Sequence, residues 1–243
     1  MTPEETARQT AEAISSLPAN FMLDAATYSK GSELGFNGID FYVCGRGGAL
    51  GDVDADVVAS AFVFFHPAMI RASWEAGEKV MSRREVALAF AGCAHDWARI
   101  HLKDGPDYER LADIAGRVIT DCNPAVAPMF AAWRAVPEPD PHRVKALALH
   151  RLNVLRELRG GLHGAAVLAL GLRPVEALLI KTPMMAPLFG WTDATCDTEA
   201  LAARRDEADA LTDQMMARAF EPLTHAEREE FVSLCQAALA AVE

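Results

Sequence analysis

The densest set of residues able to do chemistry lies in residues 152–166, LNVLRELRGGLHGAA, where Arg156, Glu157, Arg159 and His163 interrupt an otherwise apolar run carrying three glycines. On a helix turning about 100° per residue, Ala148, Leu155, Leu162 and Ala166 define the apolar centre, and Arg159 projects only about 40° from it. Arg156 and His163 border that stripe. Arginine keeps its charge and is rarely buried without a partner. Arg159 must therefore meet either an internal carboxylate, such as Asp52, or a bound anionic group. Glu157 lies about 200° round, beside Asn153, Gly160, Gly161 and Gly164, on a face suited either to close helix packing or to lining a cavity.

Two residues from earlier in the chain join this set. Arg46 sits in the glycine-rich stretch GRGGALGD (45–52), read as a turn, and His66 stands immediately before Pro67. Arg46, His66, Arg156 and Arg159 are the candidate ligand-binding residues, since guanidinium forks hold carboxylate or phosphate. His163 is the candidate general acid or base near neutral pH, with Glu157 holding it or an arginine in place. Each has a plainer reading: Arg159 as a salt bridge between helices, His66 as a helix cap.

Other chemistries find less support. His95 and His101, near Cys93 and Asp96, are six residues apart and about 120° from facing the same way, against the i, i+4 spacing of helical metal ligands; no metal site is expected. His66 or His163 as a heme ligand stays open without a CxxCH motif, so the cofactor is left unassigned. The GRGGALG stretch matches neither the P-loop nor GxGxxG, and neither Ser60 nor Cys44 has a nucleophile-elbow setting. Met184, Met185, Phe189 and Trp191 form either an adaptable lid or a packing plug.

The elements that must position these groups read as helices throughout. Thr2-Pro3-Glu4-Glu5 starts a helix that runs to about Ser16, where Pro18 ends it. Helical stretches follow over about 19–30 and after Gly31–Ser32, the latter carrying Leu34 to Cys44. Asp52 is expected to cap a helix over 53–65 that is apolar on nearly every side and therefore central. His66–Pro67 starts another, Ser82 with Glu85 makes a capping box for a helix reaching about His101, and Thr224 with Glu227 makes a second box. Further helices are expected over 108–121, 124–135, 142–170, 174–181, 198–219 and 224–242, and 182–196 is expected to be an irregular loop. The prolines of VPEPDPH forbid helix. This linker, 136–142, separates a helical half, 1–135, from a second, 143–243, with one continuous domain as the alternative. The expected fold is all-α, a multi-helix bundle of two halves.

With 243 residues and 51% hydrophobic content the chain can bury a full core. A net charge of -11 repels phosphate backbones, and no compensating basic patch is evident, so nucleic acid is not an expected partner. Five scattered cysteines without CxxC read as reduced thiols in a cytoplasm. The acidic start MTPEETARQT lacks an apolar core for a signal peptide, and the longest apolar run, 57–65, falls short of the roughly 20 residues that span a bilayer.

Residues 34–67, LGFNGIDFYVCGRGGALGDVDADVVASAFVFFHP, and 150–172, HRLNVLRELRGGLHGAAVLALGL, resemble a bacterial family of helix-turn-helix-like all-α proteins that includes a member linked to salicylate degradation. The likeness runs over most of the chain, through FGW at 189–191 and ALTDQMMARAFEPL at 210–223. It implies no particular activity, but it makes Arg46, Arg156, Glu157, Arg159 and His163 worth testing. Some members of that family carry a winged-helix segment before their final helices; here that interval is short and acidic, with twelve Asp or Glu against four Arg between Asp193 and Glu243. The winged segment reads as shortened or lost, and with it the Lys and Arg that phosphate contacts require. The expectation is a homodimeric cytoplasmic protein that binds a small anionic or aromatic metabolite between its helical halves, as a binding protein or a cofactor-independent enzyme. The alternative is a ligand-responsive transcriptional regulator or interaction protein with a degenerate DNA-binding region.

Overall fold

In the computed structural model, which describes residues 1–242, the chain forms twelve α-helices and no β-strand. They are α1 (Pro3–Leu23), α2 (Ala25–Glu33), α3 (Asp40–Gly47), α4 (Ala55–Ala61), α5 (Pro67–Glu78), α6 (Arg83–His101), α7 (Tyr108–Asp121), α8 (Pro128–Trp133), α9 (Val144–Ala169), α10 (Pro174–Lys181), α11 (Thr198–Ala217) and α12 (His225–Ala240). The capping residues work as their types dictate. Thr2, Ser82 and Thr224 each accept from the backbone N–H three residues on, and Glu5, Glu85 and Glu227 close the box in return. His66 Nδ1 accepts from Ala68 N at 3.2 Å and so caps α5.

Four local expectations are corrected. The first helix passes through Pro18 and continues to Leu23. A proline inside a helix costs about 3 kcal/mol, and burial of Ile14, Leu17, Phe21 and Met22 on the same helix, each worth about 1.5–3 kcal/mol, outweighs it. The helix expected after Gly31 starts only at Asp40, because Gly35 (φ 96°) and Gly38 (φ 45°) adopt left-handed backbone in between. The glycine-rich stretch is not a turn: Gly45, Arg46 and Gly47 belong to α3, and only Gly51 has positive φ. These glycines serve close packing, since a Cβ on Gly45 would stand 2.5 Å from Phe90 Cβ and one on Gly48 2.4 Å from the Arg83 carbonyl oxygen of α6. Finally, α4 is short, is capped by Asp54 in place of Asp52, and leaves Val57 and Ser60 exposed.

The long helix α9 is continuous, and α1, α6, α7, α8, α10 and α11 all pack against it. One hydrophobic core reaches from Ala7 to Ala238, with Leu149, Leu152, Leu155 and Leu158 of α9 inside it. Residues 136–142 are non-helical. Gly161 and Gly164 give α9 a shallow notch: their missing Cβ positions lie 3.0 Å from Ala127 Cα and 2.9 Å from Val63 Cγ1. Val63 (φ 24°) and Val126 (φ 58°) are the non-glycine residues with positive φ among those described, a conformation that strains a β-branched side chain. No single helix among the described residues is long and apolar enough to cross a membrane; α9 and α10 pass that test only together, as a pair bent by 107°.

Candidate functional site

The notch of α9 opens onto a cavity of about 490 Å³. Its walls come from α3, the segment after α4, the approach to α8, α9, the loop around Phe189, and α11. Tyr42, Phe62, Phe64, Phe65 and Phe189 supply an aromatic lining, and Phe65 and Phe189 stack at 3.9 Å with their planes 12° apart. Both strained valines line it too. Of the residues singled out in the sequence, Arg46, Arg156, Glu157, Arg159 and His163 meet here. His66 is not in the lining: its ring caps α5 and packs edge-on against Trp191, and its backbone N–H donates to Phe189 O.

Glu157 organises the cationic side. Arg46 approaches it as a two-point fork, Nε to Oε1 at 2.8 Å and Nη2 to Oε2 at 2.7 Å, while Arg46 Nη1 donates to the Tyr42 hydroxyl at 3.3 Å. The guanidinium lies over the Phe62 ring, and Trp133 Nε1 donates to the Arg46 carbonyl. Arg156 Nη1 donates to the same Glu157 Oε1 at 3.2 Å. Burial pushes the Glu157 carboxyl up, but the charge and hydrogen bonds of Arg46, joined by Arg156, outweigh burial and hold it below its ordinary value. Each nitrogen of the Arg46 guanidinium thus makes a hydrogen bond within the protein, and among the described residues Arg156 has no carboxylate partner besides the shared Glu157.

Arg159 pairs with Asp213 of α11, not with Asp52. Nη1 and Oδ1 lie 2.8 Å apart as an ion pair, but they are not aligned for a hydrogen bond and neither atom makes one. His163 stacks on Phe64 at 5.3 Å, and its Nδ1 lies 2.9 Å from Thr212 Oγ1. Thr212 spends its hydroxyl proton on the Ala208 carbonyl at 2.6 Å, so it can only accept from Nδ1. That assigns the imidazole proton to Nδ1 and leaves a lone pair on Nε2. Burial, then the positive charges of Arg205 and Arg159 against the opposing Asp209, push the His163 imidazole down to about 4. At neutral pH it is uncharged.

Sequence reasoning missed Tyr42, Arg205, Asp209, Thr212 and Asp213. The signal was present on α11, where Arg205, Ala208, Thr212 and Met216 recur at three- and four-residue spacing and are buried on a helix otherwise rich in exposed acids. Arg205 forms an ion pair with Asp209 there. The other polar cluster does not reach the cavity. His95 Nε2 meets His150 Nδ1 at 3.3 Å, and buried Asn153, one turn further along α9, has no hydrogen-bond partner for its amide. His101 stacks on Trp97 instead of joining His95. Among the described residues no group of three or more His, Cys, Asp or Glu is arranged to hold a metal. In the late loop Met184 is exposed, Phe189 packs on Phe65, and Trp191 Nε1 donates to Phe64 O at 2.9 Å.

A family model described as the helix-turn-helix family matches residues 7–243. No curated protein and no solved structure matches the chain.

Proposed function

The chain belongs to the helix-turn-helix family, and from that membership together with its arginine-lined aromatic cavity we propose a protein that binds a small anionic or aromatic metabolite. The cavity carries the reading: about 490 Å³ is ample for a one- or two-ring molecule, and aromatic walls joined to a cluster of charged side chains suit a ligand that carries both a ring and an anionic group. Four arginines, Arg46, Arg156, Arg159 and Arg205, stand against Glu157, Asp209 and Asp213, a local balance of +1 in a chain whose net charge is -11. An anion is favoured at this place on an otherwise repelling molecule.

Binding is favoured over proton transfer. A general base works best with its pKa near the operating pH, and His163 is held down at about 4. Its Nε2 serves better as a fixed hydrogen-bond acceptor. Native mass spectrometry of freshly purified protein, which also reads the expected dimer, tests the proposal. A retained organic acid or aromatic compound supports it, and so does saturable binding of aromatic acids to the apo form; neither being found overturns it.

The second reading, a ligand-responsive regulator, draws on the family membership. The four arginines between Asp193 and Glu243 weigh against direct DNA contact: Arg205 is buried, Arg228 donates to the Met1, Phe220 and Leu223 carbonyls, and exposed Arg204 and Arg218 stand among exposed acids. A salt-dependent shift of duplex DNA at 150 mM salt would favour this reading, and no shift is expected.

A further inference from the structure

The hydrogen-bond chain on the cationic side of the cavity runs Tyr42, Arg46, Glu157, Arg156, and its two ends differ from its middle. Every guanidinium nitrogen of Arg46 and both carboxylate oxygens of Glu157 are engaged with one another or with those two neighbours. At one end, the Tyr42 oxygen accepts from Arg46 Nη1, and its own hydroxyl hydrogen has no acceptor among the described residues. At the other end, Arg156 gives one hydrogen bond to a carboxylate already neutralised by Arg46 and keeps its remaining donors. Both side chains line the cavity.

We infer that Tyr42 and Arg156 form a two-donor cradle for a carbonyl or carboxylate group of the ligand, Tyr42 donating to the oxygen that both groups present and Arg156 to the second oxygen of a carboxylate, with Arg46 a positioning residue between them. The inference rests on the small-molecule reading and adds which groups meet the ligand and what they recognise. A hydroxyl whose oxygen accepts from a cation becomes a stronger donor, because hydrogen bonds in series polarise one another. Stacking on Phe65 at 5.6 Å and edge contact with Phe62 fix the Tyr42 ring, so the hydroxyl is placed before any ligand arrives. The cradle fits a planar aromatic molecule bearing a carbonyl or carboxylate oxygen. Arg156 adds charge selectivity for the carboxylate, while Tyr42 serves either oxygen.

Two fluorescent probes of one shape, 2-naphthoate and 2-naphthamide, separate these roles by titration. Tyr42→Phe, which keeps the ring stack, is expected to weaken both by about tenfold, as loss of one hydrogen bond to a buried group predicts. Arg156→Met is expected to weaken 2-naphthoate by tenfold or more and leave 2-naphthamide within about twofold. A merely structural Tyr42 would not produce equal losses beside an Arg156 variant selective for charge. Should Tyr42→Phe fail to fold, by circular dichroism, protein containing 3-fluorotyrosine, a stronger donor of nearly the same shape, is expected to bind both probes more tightly. Unchanged affinities in Tyr42→Phe, or in the fluorotyrosine protein, overturn the cradle while the pocket stands. If neither probe binds the native protein, the cradle falls as well, and the pocket reading is decided by the retained-ligand and aromatic-acid measurements above.

Discussion

Gly164 of α9 and Val63 stand so close that a Cβ on the glycine would lie 2.9 Å from Val63 Cγ1 and 3.0 Å from Cγ2. Gly160, one turn earlier, has nothing within 4 Å of its Cβ position. The two glycines of one motif therefore answer differently to the same substitution. Gly160→Ala is expected to stabilise by about 0.5–1 kcal/mol through helix propensity alone. Gly164→Ala is expected to destabilise by about 1–3 kcal/mol, because the added methyl forces Val63, already held in strained backbone, to shift. Thermal unfolding of both variants decides it, and a matching response would contradict the notch.

Glu157→Gln removes the charge that neutralises Arg46 in the interior. Breaking a buried pair from one side costs about 3–5 kcal/mol, which in a chain of this length lowers the melting temperature by roughly 6–20 °C. Replacing both partners at once, Arg46→Met with Glu157→Leu, is expected to recover much of that loss. A single variant that melts within about a degree of the native protein would refute the paired assignment.

Arg159→Met distinguishes ion pair from ligand contact at a second position. The Asp213 partner is 15% exposed, and removing its cation leaves a poorly solvated carboxylate. A loss of about 2–3 kcal/mol is expected, short of the full cost for a completely buried pair. Denaturant unfolding measures it. Unchanged stability with weakened ligand binding would return Arg159 to the ligand.

Burial pushes His95, His150 and His163 down to about 4 from an ordinary 6.5. Arg143 adds to this at His95, the neighbouring His95 at His150, and Arg205 at His163. Between pH 6.5 and 4 the unfolded chain therefore binds more protons than the folded one. The stability these groups confer is complete above about pH 6.5 and is lost as pH falls toward 4. One pH unit below 6.5 corresponds to about 1 kcal/mol per histidine. The unfolding free energy is expected to fall steeply from pH 7 to 5, and His150→Leu to flatten that slope. A pH-independent midpoint over this range would show that the imidazoles are not buried neutral.

What could be read from the sequence divides along the range of the interactions concerned. Capping is local, so Thr2 with Glu5, Ser82 with Glu85, and His66 before Pro67 announced their helices correctly. The polar residues of α9 that gather at the cavity were legible because one helical period places them. Their partners were not. Asp213 for Arg159, Thr212 for His163 and Arg46 for Glu157 are set by how α11 packs on α9 and how α3 is brought beside it, which no periodicity encodes. Pro18 misled for a related reason: its local penalty is overruled by side chains whose burial depends on distant helices.

Arg46 and Glu157 are 111 residues apart, and their fork closes only when α3, packed on α5 and α6, has been brought beside α9. A collapsed chain that buried this stretch of α9 against any other apolar helix would trap a naked carboxylate, at a cost of several kcal/mol. An all-α core rich in leucine and alanine offers many near-equivalent ways to pack. The fork penalises the wrong ones, so a charge pair of modest net worth to the native state widens the gap between that state and its mispacked competitors.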